Sequence, residues 1–188
     1  MENLKRILCN FYWLIALVMI FSSLECNAQA KGMSTRELTR KSTSVVYGKC
    51  SGVKCKWNQS QDIIVTEVTI VPEGYVKGNL GGQVVLTVPG GRIGDIIYEV
   101  SEMPVFEPGE EVFAFIYRHP SGKNLITGGF HGKMKIEKDK ATGKRMVKSK
   151  KAHKNVPVHD LTDVDVRTAA TGKTLLEDFI KEVEGYLK

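Results

Sequence analysis

Two glycine-containing segments of this chain have residue types that could bind a phosphate group. Gly172-Lys173-Thr174 has the form of the end of a phosphate-binding loop. That pattern requires a glycine five residues before Gly172, where the chain has Arg167. Gly90, Gly91 and Gly94 resemble a dinucleotide loop, but residues typical of a strand follow them, so the helix N-terminus that would hold a pyrophosphate is missing. We therefore predict no nucleotide site and no cofactor. We interpret Gly172-Lys173-Thr174 as a helix start, and Gly90, Gly91 and Gly94 as a tight strand reversal.

Carboxylates and histidines are the other candidates for catalysis. Glu107, Glu110 and Glu111 surround a Pro-Gly turn, and paired carboxylates can catalyse hydrolysis when their environments push their pKa values apart. Turn carboxylates are usually solvated, and we expect that here. The four histidines share no ligand spacing, no serine lies in a GxSxG motif, and only His131 merits a functional test. We predict no catalytic residue and no metal site, and an extracytoplasmic hydrolase is the least favoured of three hypotheses.

Cys50 and Cys55 are the two cysteines outside the first 30 residues. They lack the CxxC or paired-histidine spacing typical of zinc sites. Five residues of regular strand span about 16 Å, whereas the Cα atoms of a disulfide lie within about 7 Å. A bridge would therefore require a bend at Ser51-Gly52, where glycine permits a β-bulge. Two alternatives stay open, a Cys50–Cys55 disulfide or two free thiols on opposite faces of a strand.

Positive charge is concentrated between Lys133 and Lys154, in a chain whose formal net charge is +6. A basic β-hairpin could follow the backbone of a polyanion. The segment contains no Phe, Tyr or Trp on which bases could stack, and alternation of lysine with apolar residues is also typical of an exposed edge hairpin. The candidate polyanion-binding residues are Lys144, Arg145, Lys148, Lys150 and Lys151.

The first 30 residues have the features of a signal peptide. Lys5 and Arg6 precede an uncharged apolar run, Ile7 to Phe21, which is shorter than the 18 or more residues of a transmembrane helix. Ala28-Gln29-Ala30 supplies the small residues of a cleavage site. We expect cleavage before Lys31, export to the periplasm or the medium, and no stable membrane anchor afterwards.

The rest of the chain predicts one β-rich domain after a short lead-in, residues 31–43. Val112–Tyr117 is apolar on both alternating faces, which is typical of a central strand. An extended connection over 149–173 leads to a helix at 174–187, which we expect to begin with a capping box of Thr174 and Glu177. The predicted strands are Ser44–Trp57, Ile63–Val71, Gln83–Val88, Ile96–Val100, Val112–Tyr117, Leu125–Thr127 and the two strands of a basic hairpin, 133–148.

Short, closely spaced strands followed by one helix favour a particular fold class. The prediction is mainly β: a small OB-like barrel, closed or partly open, of about six to eight strands with one C-terminal α-helix. Gly48 and Gly52 interrupt the first strand and predict bulges there, as at the corners of small barrels.

Several motifs, in order from about Ser44 to Leu187, resemble a family of signal-peptide-bearing secreted bacterial proteins to which no activity is assigned. The motifs are SVVYGKCSGVKCKW, IIVTEVTI, YVKG, VPGG-x-IGD, P-x-FEPGEEV-x-x-F, HGKMKI and DKATGK. The strand order also resembles, more loosely, the OB-type barrel of netrin-like domains such as tissue inhibitors of metalloproteinases, which is an analogy of fold alone. Those inhibitors present an N-terminal Cys-x-Cys to the protease zinc, whereas the segment after residue 30 begins Lys31-Gly32-Met33.

These observations favour an exported, non-catalytic binding or interaction module whose partner is an unknown extracytoplasmic protein. The alternative is a polyanion-binding protein that acts through Lys133–Lys154.

Overall fold

Strand Glu111–Arg118 (β6) is buried on both of its faces over most of its length. Its even-numbered apolar residues from Val112 to Ile116 belong to one hydrophobic core, and its odd-numbered residues Phe113 and Phe115 belong to a second. Successive side chains of a strand point to opposite sides, so a strand that is apolar throughout needs cover on both sides. The predicted central strand is confirmed.

The structure, a computed structural model, describes residues 32–148 and 172–188, which belong to one compact unit. The predicted signal peptide, Lys150, Lys151 and the connection from 149 to 171 lie outside the described residues. The other described elements are α1 (Thr35–Lys41), β1 (Ser44–Trp57), β2 (Ile64–Lys77), β3 (Val84–Pro89), β4 (Gly91–Ile93), β5 (Ile96–Tyr98), β7 (Asn124–Ile126), a 3₁₀ turn (Gly129–Gly132), β8 (Lys133–Lys138), β9 (Arg145–Lys148), β10 (Lys173–Leu175) and α2 (Leu176–Gly185).

Five strands close into a barrel in the order β1, β2, β3, β7, β6 and back to β1. Neighbours in this ring are antiparallel except β3 and β7, which are parallel. Because β7 inserts between β3 and β6, the ring is a Greek key and not a simple meander. The predicted fold class, mainly β with an OB-like barrel and a C-terminal helix, is confirmed, and the barrel is closed. The ring has five strands instead of six to eight, because β8, β9 and β10 leave it.

Strand β1 bends around the barrel at its glycines. The register between β1 and β2 shifts between Tyr47 and Gly48 and again between Cys50 and Gly52, which confirms both predicted bulges. A Cβ atom at Gly48 would lie 2.3 Å from the carbonyl oxygen of Val71, so only glycine permits this close backbone approach. Strand β2 is longer than predicted and continues through Gly74, because its second half still pairs with the start of β1.

The second core lies outside the barrel, on the outer face of β1 and β6. The same edge of β6 that pairs with β7 near Ile116 pairs with β8 near Phe113, and the 3₁₀ turn separates the two short strands. β8 then pairs with β9, and β9 with β10, which confirms the hairpin but places β10 at its open edge. Met134, Ile136 and Val147 of this hairpin are buried against the helices, so only one face of the hairpin is exposed.

Helix α2 covers this second core with Leu176, Phe179 and Val183. It begins at Leu176, two residues later than predicted, and the capping box of Thr174 and Glu177 is not formed. The reason is that residue 174 belongs to β10, where it pairs with Val147. A capping box does form at the start of α1, where the Ser34 hydroxyl accepts from the Glu37 amide and the Glu37 carboxylate accepts from the Ser34 amide.

Phe113 anchors the second core and supplies a stability test. Its ring contacts Phe179 edge-on at a centroid distance of 4.9 Å, stacks on Tyr47 at 6.2 Å and is fully buried. Phe113→Ala should lower the free energy of unfolding by about 3–5 kcal/mol in urea denaturation, because it leaves a cavity between barrel and helix. Val105→Ala is the control, since Val105 is 80% exposed, and it should change stability by less than about 0.5 kcal/mol. A loss below about 1 kcal/mol for Phe113→Ala would contradict the two-core description.

Candidate functional site

The two cysteines are free, which excludes the disulfide and confirms the alternative of two free thiols, although not their predicted placement on opposite faces. Cys50 pairs with Ile70 on β2 and Cys55 pairs with Thr66, so four residues of strand, about 13 Å, separate them. That separation is too long for a disulfide. The thiols also do not lie on opposite faces, because Ile70 and Thr66 are an even number of residues apart and the bulge at Gly52 brings both cysteines to the same side.

The surroundings of the two thiols differ. Cys50 lies in the barrel core with its Sγ 3.7 Å from the carbonyl oxygen of Gly52, and burial raises its pKa above the usual thiol value. Cys55 is partly exposed, with its Sγ 3.5 Å from the Thr66 hydroxyl. A Cβ atom at Gly91 would lie 2.8 Å from the Cys55 sulfur, so glycine at φ +144° allows β4 to lie directly on the β1–β2 ribbon.

Glu110 is buried, contrary to the expectation that the three turn carboxylates are solvated. Its side chain is 5% exposed and forms a salt bridge of 2.5 Å with Lys133, which is 12% exposed. The Lys133 ammonium also donates to the carbonyl oxygen of Val105 and lies 4.5 Å from the centre of the Phe106 ring. A buried ion pair of this kind needs further hydrogen bonds to offset the loss of hydration. The Glu107 amide supplies one to the Glu110 carboxylate at 2.8 Å.

Arg145, one of the candidate polyanion ligands, is held by two carboxylates of its own chain. Its guanidinium binds both carboxylate oxygens of Glu73, at 2.6 and 2.7 Å, and one oxygen of Glu111 at 2.9 Å. Hydrogen bonding to Arg145 lowers the pKa of Glu73, and the same bonds raise the pKa of Arg145. The charge of Arg145 is therefore offset within the protein through the bonds of its two terminal nitrogens, whereas its buried Nε–H has no hydrogen-bond partner among the described residues.

Lysines form a row across the exposed face of β8, β9 and β10. Lys148 of β9 is directly opposite Lys135 of β8 on one side and Lys173 of β10 on the other, and all three residues are exposed. Strands lie about 4.8 Å apart, so the three Cα atoms span about 10 Å. Two acids lie near the row: Glu137 is 3.6 Å from Lys135, and the charge of Lys173 contributes to the lowered pKa of Asp139, after hydrogen bonds from Thr142 and Ala141. We call Lys135, Lys148 and Lys173 the lysine row.

Sequence reasoning placed only Lys148 of this row among the candidate ligands. Lys144 is exposed in the loop before β9, and Lys150 and Lys151 lie outside the described residues. Lys135 and Lys173 were missed because their alignment depends on the strand register, and Lys173 was assigned to the start of a helix. Lys173 instead lies in β10, which accounts for its presence in a Gly-Lys-Thr sequence without any phosphate loop.

Large apolar side chains are exposed at the end of the molecule where β4 and β5 form a separate two-stranded sheet. Ile96 is 54% exposed, Ile97 56%, Tyr98 38% and Trp57 39%. The β4–β5 hairpin packs through β4 against both β1 and β2, which brings its strands to the end of the ribbon that carries Trp57. We call these four residues the apolar end. The hairpin could have been found in the sequence, because Gly94-Asp95 between short apolar runs is a two-residue hairpin signal.

Exposed acids are frequent in the segment of the chain that contains β5. Residues 93–117 contain six acidic residues and no lysine or arginine. Glu110 and Glu111 form the ion pairs described above. The other four, Asp95, Glu99, Glu102 and Glu107, are exposed and take no part in the salt bridges of the described residues.

The two candidates for hydrolysis, Glu107 and His131, belong to different elements. Glu107 is in an exposed turn before β6, whereas His131 lies in the 3₁₀ turn with its ring 3.9 Å from that of Phe130. His131 also packs closely on Gly32, where an added Cβ would lie 3.0 Å from the imidazole. His119 bonds to Ser121 within a β-turn, at 2.8 Å.

No family model matches the chain, and no curated protein matches it. In the ranges 32–148 and 172–188, no group of three or more His, Cys, Asp or Glu side chains is placed to hold a metal ion. No helix among the described residues is long and apolar enough to cross a membrane.

The state of the two thiols can be checked by alkylation. At mildly alkaline pH, iodoacetamide should modify Cys55 of the folded protein and leave Cys50 unmodified, because burial both shields Cys50 and disfavours its thiolate. Peptide mapping by mass spectrometry distinguishes the two sites. In denaturant without a reductant both should react, and Cys55→Ser should remove the folded-state modification of this pair. A Cys50–Cys55 peptide that resists alkylation until reduced would contradict the free-thiol assignment.

Proposed function

We propose that this protein is an exported, non-catalytic binding module that contacts another protein through its apolar end. The observation that carries the proposal is the exposure of Trp57, Ile96, Ile97 and Tyr98 on two adjoining hairpins. Aromatic side chains are enriched in the central parts of protein interfaces, and a cluster of large exposed apolar side chains commonly marks an interaction site. The signal-peptide features and the resemblance to secreted bacterial proteins support export.

The burial and pairing of the polar groups favour binding over catalysis. Glu110, Lys133 and Arg145 are the least exposed participants in the ion pairs of the described residues, and the charge of each is paired with an opposite charge of the same chain. A catalytic acid or base is instead expected to face a cleft, with a pKa tuned toward the working pH. The thiol of Cys50 has a raised pKa and lies in the core, which is the environment of an inert cysteine.

Site-specific photo-crosslinking tests this function. A photoreactive p-benzoylphenylalanine placed at position 97 or 98 should crosslink, in the native envelope or medium, to the same partner protein. The matched control is position 71, because Val71 is 45% exposed but lies on the barrel strand β2. The proposal expects no adduct from position 71. An adduct from position 71 with none from positions 97 and 98 would place the interface elsewhere and overturn the proposal.

Polyanion binding is the second candidate function, and the lysine row favours it. Three lysines directly opposite one another across three strands concentrate positive charge on one exposed face, and such a face can follow the backbone of a polyanion. The exposed face offers no Phe, Tyr or Trp from β8, β9 or β10, which favours an acidic polysaccharide over a single-stranded nucleic acid. The ligands proposed for this function are Lys135, Lys148 and Lys173, and Arg145 is no longer among them.

A heparin column tests the lysine row. The triple variant Lys135→Gln, Lys148→Gln, Lys173→Gln should elute at lower salt, and the dependence of log K on log salt should lose a slope of about 2. The control removes the same charge from exposed lysines elsewhere: Lys49→Gln, Lys54→Gln, Lys123→Gln. Equal shifts for the two triple variants would show that retention reflects net charge alone. Arg145→Gln should lower the thermal midpoint but should have little effect on retention by heparin, because Arg145 binds Glu73 and Glu111.

A further inference from the structure

We propose that strand β5 accepts an extended, basic segment of a partner protein as an added β-strand. This inference rests on the proposed binding function and names the chemistry of the partner. It follows from three features of the β4–β5 hairpin: an open strand edge, exposed side chains on both sides, and flanking acids.

The edge of β5 that faces away from β4 is open. β4 and β5 form a sheet of two strands, and within the described residues β5 pairs with β4 alone. Ile93 and Ile96 flank the two-residue turn Gly94-Asp95, whose Gly94 has φ +57°, the sign that a type II′ turn requires there. Residues that flank such a turn bond to each other, and bonded and non-bonded pairs alternate along an antiparallel ladder. Ile97, in the non-bonded pair with Arg92, therefore directs its N–H and C=O to the open edge.

β5 is short, three residues, but lysine, proline and a bulge, which protect many natural strand edges, are missing from it. Proteins usually guard an exposed edge with lysine, proline or a bulge, or cover it with another element. Residues 94–99, Gly-Asp-Ile-Ile-Tyr-Glu, contain no lysine or proline, and the β4–β5 register is regular. All six of these residues are exposed. An unguarded, apolar edge of this kind is the template that peptide-binding domains use for strand addition.

The two acids at the ends of β5 favour a basic partner, and the one cation of the hairpin, Arg92, donates its Nε–H to the carbonyl oxygen of Gly94. Asp95 immediately precedes β5 and Glu99 immediately follows it, and Glu102 lies close in the chain. In an added strand where lysine alternates with valine or isoleucine, the lysines would lie on the same face as these acids. The apolar side chains would lie on the face of Ile96 and Tyr98. Complementary charge of this kind raises the association rate and selects the partner.

The same charges argue against a second copy of this chain as the added strand. If two β5 strands paired antiparallel about Ile97, Asp95 of each copy would lie opposite Glu99 of the other. Opposed like charges destabilise a strand pair, and the arrangement places two such repulsions in one short ladder. A basic segment replaces both repulsions by attractions.

The binding experiment uses the purified protein and a fluorescently labelled peptide, Lys-Val-Lys-Val-Lys-Val-Lys-Val-Lys. Fluorescence anisotropy should detect binding of this lysine peptide. The matching Glu-Val peptide should bind at least about tenfold more weakly, and the lysine peptide with every backbone amide methylated should not bind. Hydrogen exchange should show that the Ile97 amide gains protection when the lysine peptide binds. Asp95→Lys with Glu99→Lys should reverse the preference between the two peptides.

Two substitutions at one position separate the backbone from the side chain. Ile97→Pro removes the outward N–H without removing a bond to β4, and the extended backbone suits proline, so affinity should fall at least about tenfold while the thermal midpoint stays near that of the natural protein. Ile97→Thr keeps the N–H and should bind within about threefold of the natural protein. If Ile97→Pro fails to fold, the methylated peptide and the Ile97 exchange rate still decide the question in the unaltered protein.

Three results would overturn strand addition: equal binding of the methylated peptide, unchanged exchange at Ile97, or a dimer that Ile97→Pro dissociates. Equal binding of the methylated peptide, or unchanged exchange at Ile97, together with crosslinks from positions 97 and 98 would show contact through side chains. That outcome leaves the proposed binding function intact. Absence of those crosslinks as well would overturn both proposals.

Discussion

Strand β6 is buried on both faces and paired along both edges, and this double burial determines where the other elements lie. One edge pairs with β1 and closes the barrel, while the other is divided between β7 and β8. Its two faces enter different cores, so the barrel interior and the helix-covered layer share a single strand. Large apolar residues on both faces can be buried only if β8, β9 and α2 cover the outer one. The layer outside the barrel is thus a consequence of the sequence of β6.

The residues at the start of β6 also explain why part of the positive charge of the β8–β9 hairpin is paired within the protein. Glu110 and Glu111 are consecutive, so their side chains point to opposite sides of the strand. Glu110 binds Lys133 at the end of the barrel beside Phe106, and Glu111 binds Arg145 on the side of the helices. These two cations hold β8 and β9 against the barrel. Positive charge on the hairpin therefore has two roles, structural on the side of Arg145 and exposed along the lysine row.

The sequence predicted the elements whose signals are local and failed where the outcome depends on register. Alternation and glycine positions were sufficient for β1, its bulges and β6, because they reflect contacts within or next to the strand. The positions of Cys50 and Cys55 depended on a one-residue bulge, which shifts every later side chain to the other face. The structural role of Arg145 could not be predicted, because its partner Glu73 lies 72 residues earlier in the chain. The two side chains meet only once the sheet has formed. Thr174 has a helix-start sequence, but pairing with β9 overrides it.

The net charge of the chain conceals two surfaces of opposite sign, and that separation is the main argument for selective binding. A formal charge of +6 suggests a basic protein, yet residues 93–117 carry six acids and no base. Four of those acids are exposed, and two of them, Asp95 and Glu99, flank β5, while the lysine row lies on strands of a different sheet. If the charges served solubility alone, acidic and basic residues mixed over the whole surface would suffice. Apolar residues as exposed as Ile96 and Ile97 would then only favour aggregation. In the strand addition that we propose, Asp95 and Glu99 at the two ends of β5 would instead repel another copy of the chain and attract a basic partner, because the repulsive and attractive elements of specificity would be placed together.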